Sequence, residues 1–158
     1  IMLSASCGGP FGMAYKTAGY DGLLITGKAS SPVIVVVDED VLGKPCDHFD
    51  GLAMLAKLSG RSHSVLTAVC LHHEGVASCE VVETRVEFIQ LTRELCEAYL
   101  ATDEPWDKAG AYAIQGMAGV FVRSIHGSYS NVVGLPLCET WQLLRAGGIG
   151  TGLEPRHE

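Results

Sequence analysis

The chain has 158 residues, 47% of them apolar and 18% charged, which is enough for one folded domain with a sizeable core and unlike a disordered chain. Its net charge is −7 with only 11 Lys and Arg, which argues against a nucleic-acid partner but leaves room for a small anionic substrate held by a few lysines. No apolar run approaches the length of a membrane span, and the opening IMLSASCGGP lacks the charged region of a signal peptide, so a cytoplasmic location with no membrane partner is expected. Six scattered cysteines, Cys7, Cys46, Cys70, Cys79, Cys96 and Cys138, form no CxxC and read as free thiols used in packing.

Residues 1–31 are rich in Gly, Ser and Ala and carry no clear period. The β-branched run Val33 to Val37 then predicts a buried strand. Asp47 to Leu58 predicts a helix, with Asp47 as cap, Gly60 as stop and Phe49, Leu52, Leu55, Ala56 and Leu58 on its apolar face. Two extended runs follow, Ser64–Leu71 and Ser78–Phe88, joined by a hairpin turn at HHEG. In the second run Val82, Thr84, Val86 and Phe88 share one face, and Glu83, Arg85 and Glu87 the other. Thr92 caps a helix to Ala101 with Leu95 and Tyr99 on one side. Short strands near 119–125 and 130–133 flank HGSYS, a last helix covers Leu137 to Arg145, and residues 149–158 read as a frayed tail. Strands and helices alternate without an internal repeat, which places the chain in the α/β or α+β class.

Several stretches carry possible chemistry. Cys70, His72, His73 and Cys79 hold metal-ligand side chains, but adjacent strand residues point to opposite faces, so a solvated turn with two packing thiols is the plainer reading. Asp38-Glu39-Asp40 follows the buried strand and can hold a divalent cation, or simply solvate a turn. Val41 to Pro45 sets Lys44 after a glycine, where an ammonium can meet a phosphate, although the spaced glycines of a P-loop are missing. His63 and Thr67 share one strand face, as in a core strand with one satisfied histidine. Glu104 to Gly116 is the densest polar stretch. Glu104, Asp107 and Lys108 can orient one another at a site rim, and Gly110 between two alanines permits close approach of a ligand to the backbone. Gln115 offers an amide that both donates and accepts, the chemistry that reads a base edge. Ile125 to Leu137, with Gly134 and Pro136, reads as a structural brace.

GKPCD, LSGRSHSVLTAV, VEF, YLATDEPWDKAGAYAIQG and GSYSNVVGLPL, in this order over about residues 34–145, resemble the Maf nucleoside triphosphate pyrophosphatases, the septum formation proteins. The resemblance implies a single α/β domain over residues 1–148, with 1–31 divergent and 149–158 as tail. Its sheet would be long, twisted and mixed, flanked by helices around a nucleotide cleft. It also implies cleavage of a nucleoside triphosphate between the α and β phosphates with Mg²⁺ or Mn²⁺, and a possible homodimer. IQG at Ile114–Gly116 resembles the branch that takes dTTP and UTP. Lys44 and Lys108 are the implied catalytic, phosphate-facing residues. Gln115, Glu104, Asp107 and Gly110 are the implied substrate-binding residues, and Asp38 and Asp40 the available metal ligands.

Two departures stand out. The family places an Asp–Thr pair where this chain has Pro32 and Val33, and that Asp is the implied general base or metal organiser. The family's opening arginines have no counterpart after Leu3–Ser6, because the first arginine is Arg61. A nucleotide-binding module with impaired turnover is therefore the alternative to an active enzyme.

Overall fold

The computed structural model describes residues 33–37 and 40–152. Pro32, Asp38, Cys7, the divergent opening and the last six residues lie outside the described residues. Five strands form one sheet in the order β2-β1-β3-β4-β5. They are β1 (Val33–Val37), β2 (Asp40–Leu42), β3 (Ser62–His73), β4 (Val76–Phe88) and β5 (Val122–His126). Every pairing among the described residues is antiparallel, where a mixed sheet was expected.

The long β3–β4 hairpin turns at Glu74–Gly75, both at positive φ (50° and 78°), the backbone of a two-residue primed turn. The expected turn spanned four residues, His72 to Gly75. The tighter turn moves the register, so that Cys70 lies directly opposite Cys79 and the two form a disulfide. The expectation of free thiols is corrected at these positions, and with both sulfurs engaged a metal role for this pair is removed. Cys46, Cys96 and Cys138 remain free.

Helix α1 (His48–Leu58) is capped as expected: the Asp47 carboxylate accepts from Asp50 N at 2.8 Å, and Asp50 in turn accepts from Cys46 N at 3.0 Å. Its buried stripe is Gly51, Met54, Leu55 and Leu58, spaced i, i+3, i+4, i+7, whereas Phe49 is 82% exposed. Helix α2 (Arg93–Leu100) starts at Thr92 and buries Cys96, Tyr99 and Leu100; Leu95 faces outward. The two helices pack closely because Gly51 has no side chain: a Cβ there would stand 2.8 Å from Leu100 Cδ2.

Alternate residues of β3 and β4 face the core, with Val65 and Val69 on β3 and Thr84, Val86 and Phe88 on β4 buried. Rings of His63, Phe88, Tyr112, Tyr99 and Phe121 meet edge to face there, with centroids 4.8–6.1 Å apart.

Residues 130–133 were expected to be a strand and instead lie in helix α3 (Tyr129–Val133). The Ser128 hydroxyl accepts from Asn131 N, and the buried Asn131 amide donates to Val65 O at 3.0 Å and Thr84 Oγ1 at 2.9 Å. Those tertiary bonds override the β preference of Val132 and Val133. Helix α4 (Leu137–Ala146) follows. Residues 149–152 are not frayed: Thr151 is buried and accepts from Trp141 Nε1 at 2.9 Å. Among the described residues no helix is long and apolar enough to cross a membrane.

Candidate functional site

Two loops meet against β1, an interior strand of the sheet. The first is Gly43-Lys44-Pro45, between β2 and α1, with Pro45 buried and Lys44 exposed. The second runs from Glu104 to Gly116. Gly110 N donates to Gly43 O at 2.9 Å and joins them. Gly110 sits at φ 73° with its Cα against Val35: a Cβ would lie 3.3 Å from Val35 Cγ1. The close approach that this glycine permits is therefore made by β1. Ala111 follows at φ 57°, an uncommon conformation for a residue with a Cβ, in a fully buried position.

This joint brings Lys44, Asp107, Lys108 and Gly110 together. Lys108 Nζ donates to Asp107 Oδ1. The Asp107 carboxyl is held below its usual range, chiefly by that hydrogen bond, and the Lys44 charge adds to the effect. Both members of the pair are solvent-accessible, so the ion pair itself contributes little to stability. Its effect is to fix one ammonium beside a second, exposed one. Two cations and one carboxylate in an open position can neutralise phosphate oxygens while keeping net charge modest.

Glu104 is placed otherwise. Its Oε1 accepts from Tyr99 OH at 2.9 Å and Ala118 N at 3.2 Å, and its Oε2 accepts from Met117 N at 2.9 Å. Partial burial pushes its carboxyl up, but these donors and the Lys108 charge outweigh that and leave it below the usual range. Glu104 is thus turned inward, toward α2 and the two residues that follow the loop. Gln115 stands exposed on a turn closed by Gly116 N to Ala113 O at 3.0 Å.

Asp40 is not brought to the lysine pair, because its carboxylate accepts from Lys57 Nζ at 2.7 Å. Among the described residues no group of three or more His, Cys, Asp or Glu side chains gathers to hold a metal ion. The described residues therefore do not fit a dedicated metal cage. A separate groove of about 320 Å³ lies between the β3–β4 hairpin and α4, lined by Leu71, His73, Val76, Leu143 and Gly147 among others, and contains none of the candidate residues.

Below the site His63 is buried, and its Nε2 shares a 2.8 Å hydrogen bond with the Tyr112 hydroxyl. Burial lowers its pKa to about 4 and raises that of Tyr112. The Tyr99–Glu104 and His63–Tyr112 pairs were not read from the sequence. Each joins residues of different elements or loops, and no local spacing marks them.

The fold is a mixed α/β one, in which two lysine-bearing loops join against β1 of an antiparallel sheet. The chain belongs to the Maf-like protein family, whose pattern matches residues 25–147. It is 52% identical over 119 residues to the dTTP/UTP pyrophosphatase of Shewanella oneidensis, covering 75% of this chain and 61% of that protein. It is 47% identical over 120 residues to the protein of the same name in Pasteurella multocida, covering 76% and 60%. The corresponding Bordetella parapertussis protein is 54% identical over 115 residues, covering 73% and 56%. The chain thus spans about six-tenths of the length of the curated relatives it matches.

Proposed function

We propose that this chain hydrolyses dTTP and UTP to the nucleoside monophosphate and pyrophosphate. The observation that carries the reading is the Gly110–Gly43 hydrogen bond, which sets Lys44 near the Asp107–Lys108 pair. Water attacks the α-phosphorus, the bond from that phosphorus to the α,β-bridging oxygen breaks, and pyrophosphate leaves with the electron pair while the water's proton passes to solvent or a base. Such transfer depends mainly on positioning and on charge stabilisation. Lys44 and Lys108 supply the charge, and Asp107 holds Lys108 in place. Gln115 matches the imide edge of thymine and uracil, which offers one donor between two acceptors. The relatives' names, which specify dTTP and UTP, support the choice of base.

The test is pyrophosphate release from dTTP and UTP in the presence of Mg²⁺ or Mn²⁺, since triphosphates are usually handled as metal complexes. The expected products are dTMP and pyrophosphate. Release of inorganic phosphate and dTDP instead would overturn the reading. Lys44→Ala is expected to lower kcat/KM by about 10²–10³-fold, the scale for loss of one charge-stabilising group.

A second reading is favoured by one observation, proline at position 32. With no carboxylate there, the chain binds the nucleotide and turns it over poorly, because loss of a general base lowers rates about 10²–10⁴-fold. Under this reading a Pro32→Asp, Val33→Thr double variant gains activity over the parent chain. Equal rates in the two would remove it.

A further inference from the structure

The turn that carries Gln115 is tied at both ends to one corner, where Tyr99 is buried and Glu104 half-buried. Its first residue, Ala113, donates its N–H to the Tyr99 hydroxyl at 3.2 Å. Just beyond it, Met117 N and Ala118 N donate to the two oxygens of Glu104. Tyr99 and Glu104 are themselves hydrogen-bonded at 2.9 Å, so one phenol–carboxylate pair holds the whole turn. The approach is close: a Cβ on Gly116 would fall 2.2 Å from Glu104 Oε2, so no side chain fits between turn and carboxylate.

We propose that Glu104 is a positioning residue, whose carboxylate holds the 113–118 turn and through it sets Gln115 to tell thymine and uracil from cytosine. The inference rests on the nucleotide reading given above. A glutamine amide pairs with thymine in one orientation and with cytosine in the reverse, because the donor and acceptor exchange places on the base. Discrimination therefore depends on how firmly the amide is presented. Glu104 makes no such distinction itself, since both of its oxygens are engaged by Tyr99, Met117 N and Ala118 N.

Two measurements on the full chain separate this from a merely structural role. The first needs no nucleotide: amide hydrogen exchange of wild type, Glu104→Gln and Gly116→Ala. The glutamine keeps the shape but has one acceptor oxygen for two backbone donors, and the alanine pushes the carboxylate away. Exchange at residues 113–118 is expected to rise about tenfold or more while β3 and β4 stay protected, as in local opening. The second is the ratio of kcat/KM for dTTP to that for dCTP, or of binding constants if turnover is slow. That ratio is expected to fall about tenfold in either variant, and to fall no further when Glu104→Gln is added to Gln115→Ala. Unchanged exchange at 113–118 overturns the clamp. Faster exchange with an unchanged ratio, or an additive double variant, overturns the link to Gln115. A wild type that neither binds nor cleaves dTTP counts against the function proposed above, and the exchange result then decides the clamp by itself.

Discussion

His63 is 2% exposed, and its two ring nitrogens are served unequally. Nε2 meets Tyr112, while Nδ1 is buried with no hydrogen-bond partner. The protonated ring needs an acceptor at each nitrogen and Nδ1 has none, which accords with a pKa lowered to about 4 by burial. In the unfolded chain this ring titrates near 6.5. Between those values the unfolded state binds the extra proton, so stability is fully present above about 6.5 and falls as pH drops toward 4. The full loss is on the order of 3 kcal/mol. Denaturant unfolding of wild type and His63→Phe from pH 7 to pH 4 checks this. The wild-type curve is expected to fall more steeply than that of the variant, and parallel curves would contradict it. Gly110→Ala addresses the backbone: a side chain at φ 73° and against Val35 is expected to lower stability by about 1–3 kcal/mol, read as a drop in melting temperature. At this scale the sequence was legible for residue type and not for contact. Gly110 and Glu104 stood out as unusual, but only the folded chain shows that Val35 and the 117–118 amides are what they touch.

At the scale of elements, period and caps were the most legible features. The valine run at β1, the Asp47 cap of α1 and the alternation along β4 all follow local rules, and local rules decide them. Helix α3 escaped because its stability is tertiary. Two valines in a five-residue segment prefer a strand, and the Asn131 amide, bonded to β3 and β4, decides otherwise. Asn131→Ala is therefore expected to destabilise the protein by about 1–3 kcal/mol, since Val65 O and Thr84 Oγ1 lose a buried donor. Loss of protection confined to α3 and the facing parts of β3 and β4 in hydrogen exchange would accompany it. The hairpin makes the same point in reverse. A turn read two residues too long hides the Cys70–Cys79 pairing, because register depends on where the turn closes. Glu74 occupies a positive-φ position that suits asparagine better, so Glu74→Asn is expected to raise stability by a few tenths of a kcal/mol, about 1 °C in melting temperature.

For the whole molecule, the candidate site is a product of chain folding over a long separation. Lys44 and Lys108 stand on loops more than sixty residues apart in sequence, and each motif alone is unremarkable. Their joining depends on β1 and on the Gly43–Gly110 bond, which no sequence period encodes. The resemblance of the motifs could anticipate the pairing of these loops, but not that Asp40 would be taken by Lys57 or that Glu104 would face inward. The enzyme and the impaired-binder readings differ in turnover and share one premise, that a pyrimidine triphosphate sits with its phosphates at Lys44 and Lys108. Titration calorimetry of dTTP into wild type, Lys44→Ala and Lys108→Ala tests that premise directly. Loss of one charged hydrogen bond to phosphate, about 1.5–3 kcal/mol, corresponds to roughly 10–100-fold in Kd. The wild type is expected to bind dTTP measurably, and each variant to bind it more weakly by that factor. Binding of equal strength in all three proteins would contradict the premise.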